Sequence, residues 1–170
     1  MLMALRKSGW SGRVRSGSAP FSQSLKVKVW PTDIDIFMHM TNTRYLDVMT
    51  LSTNILMSKA GLEKDLHHLG AHMKQIYSDL DVYSMLRMFQ SYTIESKISG
   101  ADNGLIAFSH TFRRGKKING RGDLLFSIAE KDAPKAAIDR SKFLPDTIPP
   151  LPENMRDWLG RDRLNPPVNE

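Results

Sequence analysis

Along Leu25 to Trp30, the apolar Leu25, Val27 and Val29 alternate with Lys26 and Lys28. A period of two marks a strand with one buried face. The period then changes: Thr41 to Lys59 carries Tyr45, Leu46, Met49, Leu51, Ile55, Leu56 and Met57 over a surface broader than one helical stripe. A helix with so wide an apolar surface is expected to be enclosed by other structure. Thr41, Asn42 and Thr43 offer N-caps, Asn42 being the natural one, and Gly61 supplies a stop just past the C-terminal end. From Met73 the period returns to two. Met73 to Tyr83 reads as one irregular extended segment, followed by strands at Ser91 to Ser99, Leu105 to Arg113 and Ile118 to Ile128. The turns between them, Gly100-Ala101-Asp102-Asn103-Gly104 and Arg114-Gly115-Lys116-Lys117, have the composition of antiparallel hairpins. The order of strand, long helix and then strands predicts an α+β domain, with an antiparallel sheet of about five strands wrapped around one central helix.

Outside that pattern the chain changes character. Seven of the nine prolines lie at or beyond Pro134. Residues 133–170 are therefore expected to be a Pro-rich extension over the domain, too short to bury a core of its own. Within it, Glu153 to Leu159 is expected to form a short helix that buries Met155, Trp158 and Leu159. Residues 1–24 read as a basic tail, and residues 25–132 as the domain; 170 residues suit one domain with tails.

The net charge of +6 comes entirely from residues 1–32, which hold Arg6, Lys7, Arg13, Arg15, Lys26 and Lys28 and no acid. The remainder is balanced, which argues against a nucleic-acid-binding surface on the domain. The absence of cysteine excludes disulfides, thiolate metal sites and cysteine nucleophiles. No run approaches the roughly 20 apolar residues of a membrane span, and no secretory signal is visible. A cytoplasmic location is expected, with a mitochondrial one as the alternative suggested by the basic, acid-free start.

The stretch with chemical potential is Trp30-Pro31-Thr32-Asp33-Ile34-Asp35-Ile36-Phe37-Met38-His39-Met40-Thr41-Asn42-Thr43-Arg44-Tyr45-Leu46. It sets two carboxylates, an imidazole and an amide in an otherwise apolar loop, immediately before the buried helix. An unpartnered carboxylate in apolar surroundings is costly. The helix start, with its free N–H groups and positive dipole end, favours an anion and can also polarise a bound carbonyl.

The spacing D-x-D-x-x-x-H-x-x-N-x-x-Y over Asp33, Asp35, His39, Asn42 and Tyr45 resembles the hotdog-fold thioesterases of the 4-hydroxybenzoyl-CoA thioesterase family. Residues from about Lys26 to Glu130 carry the likeness. The triplet before the helix is similar to the subgroup of thioesterase superfamily member 6. Where the usual pattern is D-x-D-x-x-G-H-x-N-N-x-x-Y, Met38 replaces the glycine and Thr41 the first asparagine. A methionine is expected to narrow the space near the thioester and not to match a glycine backbone at positive φ.

The resemblance implies an acyl-CoA or acyl-carrier-protein thioester hydrolase with no metal and no cofactor, working as a homodimer or homotetramer. Asp35 would be the catalytic carboxylate, attacking the thioester or activating water, with helix-start N–H groups at the oxyanion. His39 would orient substrate or assist the base, and Asn42 would join the catalytic set. Asp33, Met38, Thr41 and Tyr45 would line the substrate, although Asp33 also fits an Asx-type turn and Tyr45 the core. Arg44 is expected to face pantetheine or a subunit interface. His67, His68 and His72 lie close together, and Arg113, Arg114, Lys116 and Lys117 form a basic turn suited to phosphates. The competing reading is a non-catalytic hotdog protein that binds acyl thioesters or serves in assembly.

Overall fold

The computed structural model describes residues 15–16, 21–68, 70–102, 104–130 and 148–164. The strands are β1 (Arg15–Ser16), β2 (Ser22–Lys28), β3 (Ala71–Val82), β4 (Ser91–Asp102), β5 (Leu105–Arg114) and β6 (Lys117–Glu130). The helices are α1 (Asn42–Ala60), α2 (Leu62–His68) and α3 (Glu153–Leu164). The strands form one antiparallel sheet in the order β1-β2-β4-β5-β6-β3. The expected strand, helix and strand succession is present, and the two-residue β1 lengthens the sheet by one short rung. The strand expected over Leu25 to Trp30 is β2, which runs from Ser22 to Lys28 and stops short of Trp30. The irregularity expected near Met73 is a register shift between Gln75 and Tyr77. Helix α2 follows α1 directly and was not legible as a separate element.

Helix α1 lies against one face of the sheet, burying Tyr45, Val48, Met49, Ser52, Thr53, Leu56 and Met57. These positions recur at intervals of three and four, which is one helical face. Thr41, not Asn42, is the N-cap: its Oγ1 accepts the Arg44 N–H at 3.3 Å, and Asn42 is the first helical residue. Gly61 ends the helix with φ 78°, its N–H reaching the last carbonyls. The helix sits close to β6 because Gly122 has no side chain; a Cβ there would lie 2.6 Å from Met49 Cε.

Polar groups cross the centre of this core. Ser52 Oγ and Ser96 Oγ are 2.7 Å apart, and Ser96 Oγ is 2.8 Å from His110 Nδ1. Thr53 Oγ1 lies 3.2 Å from His110 Nε2, and the Gln23 amide donates to Ser52 O and to Ser52 Oγ. The chain of contacts ties α1 to β2, β4 and β5. Burial pushes the His110 pKa down to about 3, so the imidazole is neutral in the folded protein.

The other face of the sheet is divided. Ala107, Leu125 and Tyr77 stand in one cross-strand row, and the extension covers them. Leu151 and Met155 pack on Ala107 and Leu125, and the rings of Tyr77 and Trp158 are 5.0 Å apart. Gly100 admits the extension's backbone, since a Cβ would meet Pro150 O at 2.5 Å, and the Ala101 N–H donates to Pro149 O at 3.0 Å. Of the residues expected inside the short helix, Met155 is buried, while Trp158 and Leu159 are half-buried. The next rows, Lys97, Ser109, Asp123 and Asp79, then Glu95, Thr111, Arg121 and Asp81, are polar and left uncovered by that apolar cluster. Most of the basic N-terminal tail and all of residues 131–147 lie outside the described residues.

Candidate active site

The loop between β2 and α1 begins with a 3-10 turn, Pro31–Asp33, and continues as a small hairpin. Ile34 pairs with Met40 as an isolated bridge, the Asp35 N–H donates to His39 O at 2.9 Å, and the Met38 N–H donates to Asp35 O at 3.1 Å. Ile36, Phe37 and Met38 form the tip. A tip of this length commonly places its last residue in the left-handed region. Met38 is there, with φ 63°. The expectation that methionine cannot match a glycine backbone is therefore corrected: the hairpin's own hydrogen bonds hold Met38 in the conformation that glycine adopts without strain.

Asp33 and Asp35 divide the work. Asp33 is buried; its Oδ2 accepts the Trp30 N–H at 2.8 Å, its carbonyl accepts the Thr41 N–H at 3.0 Å, and its Oδ1 lies 2.8 Å from Arg44 Nε. It joins both ends of the loop to the first turn of α1. Arg44, expected toward pantetheine or an interface, is turned to this carboxylate. Asp35 is exposed: Oδ1 accepts the Phe37 N–H at 2.9 Å and the His39 N–H at 3.1 Å. Among the described residues, Oδ2 accepts no hydrogen bond. One oxygen thus fixes the exposed carboxylate while the other is left without such a bond.

The remaining candidates separate in the same way. Tyr45, expected at the substrate, is fully buried; its hydroxyl accepts the Leu86 N–H at 3.1 Å and its ring meets Phe112 edge-on at 4.9 Å. Burial raises its pKa, and the Leu86 N–H partly opposes the shift. Thr41 is occupied as the cap. Asn42 is exposed at the start of α1, and His39 is half-buried, its ring making no hydrogen bond among the described residues. The N–H groups of Asn42 and Thr43 belong to the first turn, where no intrahelical acceptor exists.

A second wall, residues 83–90, was not found from the sequence. The Met40 N–H donates to Leu86 O at 2.8 Å, and His39 pairs with Arg87. Asn119 anchors this wall: its carbonyl accepts the Tyr83 and Ser84 N–H groups at 2.9 Å, and its Nδ2 donates to Ser84 O at 3.0 Å. The large apolar side chains exposed to solvent cluster here, with Ile36 89% and Phe37 70% exposed beside Met38, Tyr83, Met85 and Phe89. Such a patch marks an interaction surface. The histidines at 67, 68 and 72 lie elsewhere, and no metal-holding group occurs among the described residues. No helix there is long and apolar enough to cross a membrane.

A family model described as the thioesterase-like superfamily matches residues 29–159. Among solved structures, the hypothetical protein TT1821 of Thermus thermophilus is similar over 72% of this chain and 92% of its own, at 13% identity and TM-score 0.63. Slr0204, a 1,4-dihydroxy-2-naphthoyl-CoA thioesterase from Synechocystis, is similar over 82% and 96%, at 10% identity and TM-score 0.59. A hypothetical thioesterase of Streptococcus pneumoniae TIGR4, solved with coenzyme A, is similar over 75% and 93%, at 5% identity and TM-score 0.59. These likenesses speak for the fold, an antiparallel hotdog sheet around a central helix.

Proposed function

The chain belongs to the thioesterase-like superfamily and is a thioester hydrolase, and from that premise we propose that it cleaves acyl-coenzyme A esters with Asp35 as the reacting carboxylate. The observation that carries this is the state of Asp35. Its Oδ1 is held by two loop amides, its Oδ2 accepts no hydrogen bond among the described residues, and the side chain is exposed on the loop that leads into α1. A carboxylate so held either attacks the thioester carbonyl or takes a proton from the water that does. The carbonyl oxygen gathers negative charge as the tetrahedral centre forms. The first-turn N–H groups of Asn42 and Thr43 are the donors proposed to receive it, aided by the helix dipole. The thiolate leaves readily, so a carboxylate and an oxyanion hole suffice. His39 orients the substrate or assists Asp35, and Asp33 with Arg44 fixes the loop from below.

Assembly as a homodimer is part of this reading. Strand β3 pairs with β6 and otherwise forms an edge of the sheet, and the apolar side chains of Ile36, Phe37, Met38, Tyr83 and Met85 are exposed near its C-terminal end. An open edge beside an apolar patch invites a second copy.

The test is free-thiol release from short, long and aromatic acyl-coenzyme A esters by the wild type and by Asp35→Asn. Expected is turnover by the wild type and a loss of at least about a hundredfold in kcat/KM in the variant, equivalent to about 2.7 kcal/mol. Binding of esters without thiol release by either protein would replace this reading with that of a non-catalytic acyl-thioester binder.

A further inference from the structure

Lys28, Trp30, Arg87 and Phe89 stand at the mouth of the site and take no part in the hydrolysis outlined above. The rings of Trp30 and Phe89 meet edge to face, 6.4 Å apart at 87°. The Lys28 ammonium lies 5.1 Å from the Trp30 centroid and 5.4 Å from that of Phe89. Phe89 has φ 63°, a left-handed backbone that a bulky residue rarely adopts. Its conformation is imposed from several sides: the Phe89 N–H donates to Val29 O at 2.8 Å, the Val29 N–H to Gln90 O at 2.9 Å, and the Gln90 N–H to Arg87 O at 3.1 Å. Strain of this kind persists only where surrounding structure over-determines it, and it gathers at ligand clamps. Core burial does not offset it, because the Phe89 side chain is 52% exposed.

The platform is joined to the reacting carboxylate by short links. The Trp30 N–H is bonded to Asp33, and Arg87 pairs with His39, whose N–H holds Asp35. Two aromatic rings with the Lys28 ammonium beside them, and with the exposed Arg87 two residues before Phe89, suit a flat base followed by phosphates. The nucleotide end of coenzyme A presents both. A phosphopantetheine carried on a protein presents no purine.

We propose that Trp30 and Phe89 receive the purine of a coenzyme A ester while Lys28 and Arg87 meet its phosphates, which makes coenzyme A rather than a carrier protein the acyl donor. This rests on the thioesterase reading. The ammonium of Lys28 keeps its place beside the rings and exchanges ring contact for phosphate contact when the nucleotide enters.

The test compares an acyl-coenzyme A ester with the same acyl pantetheine ester, which lacks the nucleotide, in the wild type and in Phe89→Gly. The glycine removes the ring and relieves the backbone, so folding is retained. Expected is a rise of at least tenfold in KM for the coenzyme A ester, with kcat within twofold and the pantetheine ester unaffected. Lys28→Met is expected to act in the same direction. An equal change with both esters, or none with either, overturns the proposal. So does a lower light-scattering mass for Phe89→Gly, which would assign the ring to a subunit contact. If neither ester is hydrolysed by the wild type, the thioesterase reading fails separately. The platform is then judged by binding of adenosine 3′,5′-bisphosphate: tenfold weaker in Phe89→Gly upholds it, and equal affinity overturns it.

Discussion

Met38 illustrates how a backbone can overrule a side-chain preference. Its φ of 63° follows from the hairpin bonds between Asp35, Met38 and His39, and those bonds are available to any residue with an N–H. For an L-residue the left-handed region costs about 1–2 kcal/mol, a penalty that glycine escapes while adding some freedom to the unfolded chain. Met38→Gly is therefore expected to stabilise the protein by about 1 kcal/mol, read as a higher denaturation midpoint with an unchanged slope; a lower midpoint would sink this account of the tip. The same scale shows what single residues reveal in sequence. Asp33 and Asp35 are identical in letter, and only the family resemblance singles out Asp35 as the one expected to react. The bond from Trp30 to Asp33 is local, as an Asx-type turn suggests, but the contacts of Asp33 with Thr41 and Arg44 depend on the loop closing onto α1, which no local pattern encodes. Thr41 and Asn42 are comparable caps by type, and the loop's approach to the helix selected Thr41.

Elements were more legible than residues because periodicity averages over many positions. The limits of α1 and the order of the strands follow from it, whereas the partners of its buried face do not. Ser52 and Thr53 lie on that face between Met49 and Leu56, while the more apolar Leu51 lies half-buried beside it. Their burial makes sense only with Ser96, His110 and Gln23 opposite, a pairing of residues distant in sequence. That pairing carries a pH consequence. Burial takes the His110 pKa from its ordinary value of 6.5 down to about 3 in the folded protein. Above 6.5 both folded and unfolded states hold a neutral imidazole and the group is indifferent. As pH falls from 6.5 toward 3 the unfolded chain takes up the proton and the folded one does not, so stability is lost, on the order of 5 kcal/mol over the full window. Denaturant melts of the wild type and His110→Gln between pH 7 and 4 are expected to differ in slope, the variant being less stable at pH 7 and flatter below it. Parallel pH profiles would remove His110 as the cause.

For the whole molecule, the two faces and the edges of the sheet decide how copies can meet. One face is filled by α1 and the other is split between charged rows and an apolar row under α3. Without the extension, Ala107, Leu125 and Tyr77 would form an exposed apolar patch, the kind of surface that draws proteins together. Because the chain covers this patch with its own Leu151, Met155 and Trp158, the dimer proposed above rests, among the described residues, on the β3 edge and the apolar side chains of Ile36, Phe37, Met38, Tyr83 and Met85. Those two are adjacent, so one contact engages both, and a twofold contact between identical edges closes on itself as a dimer. Light scattering of the full chain at tens of micromolar is accordingly expected to give a mass near twice 19.3 kDa. Met155→Asp places a carboxylate in the fully buried seam beneath α3, which detaches the extension and frees the outer face. Its mass is expected to rise above that of the dimer. A monomeric wild type would remove the edge contact from the account, and a variant that loses stability while keeping the dimer mass would show that the extension supports the sheet without limiting its assembly.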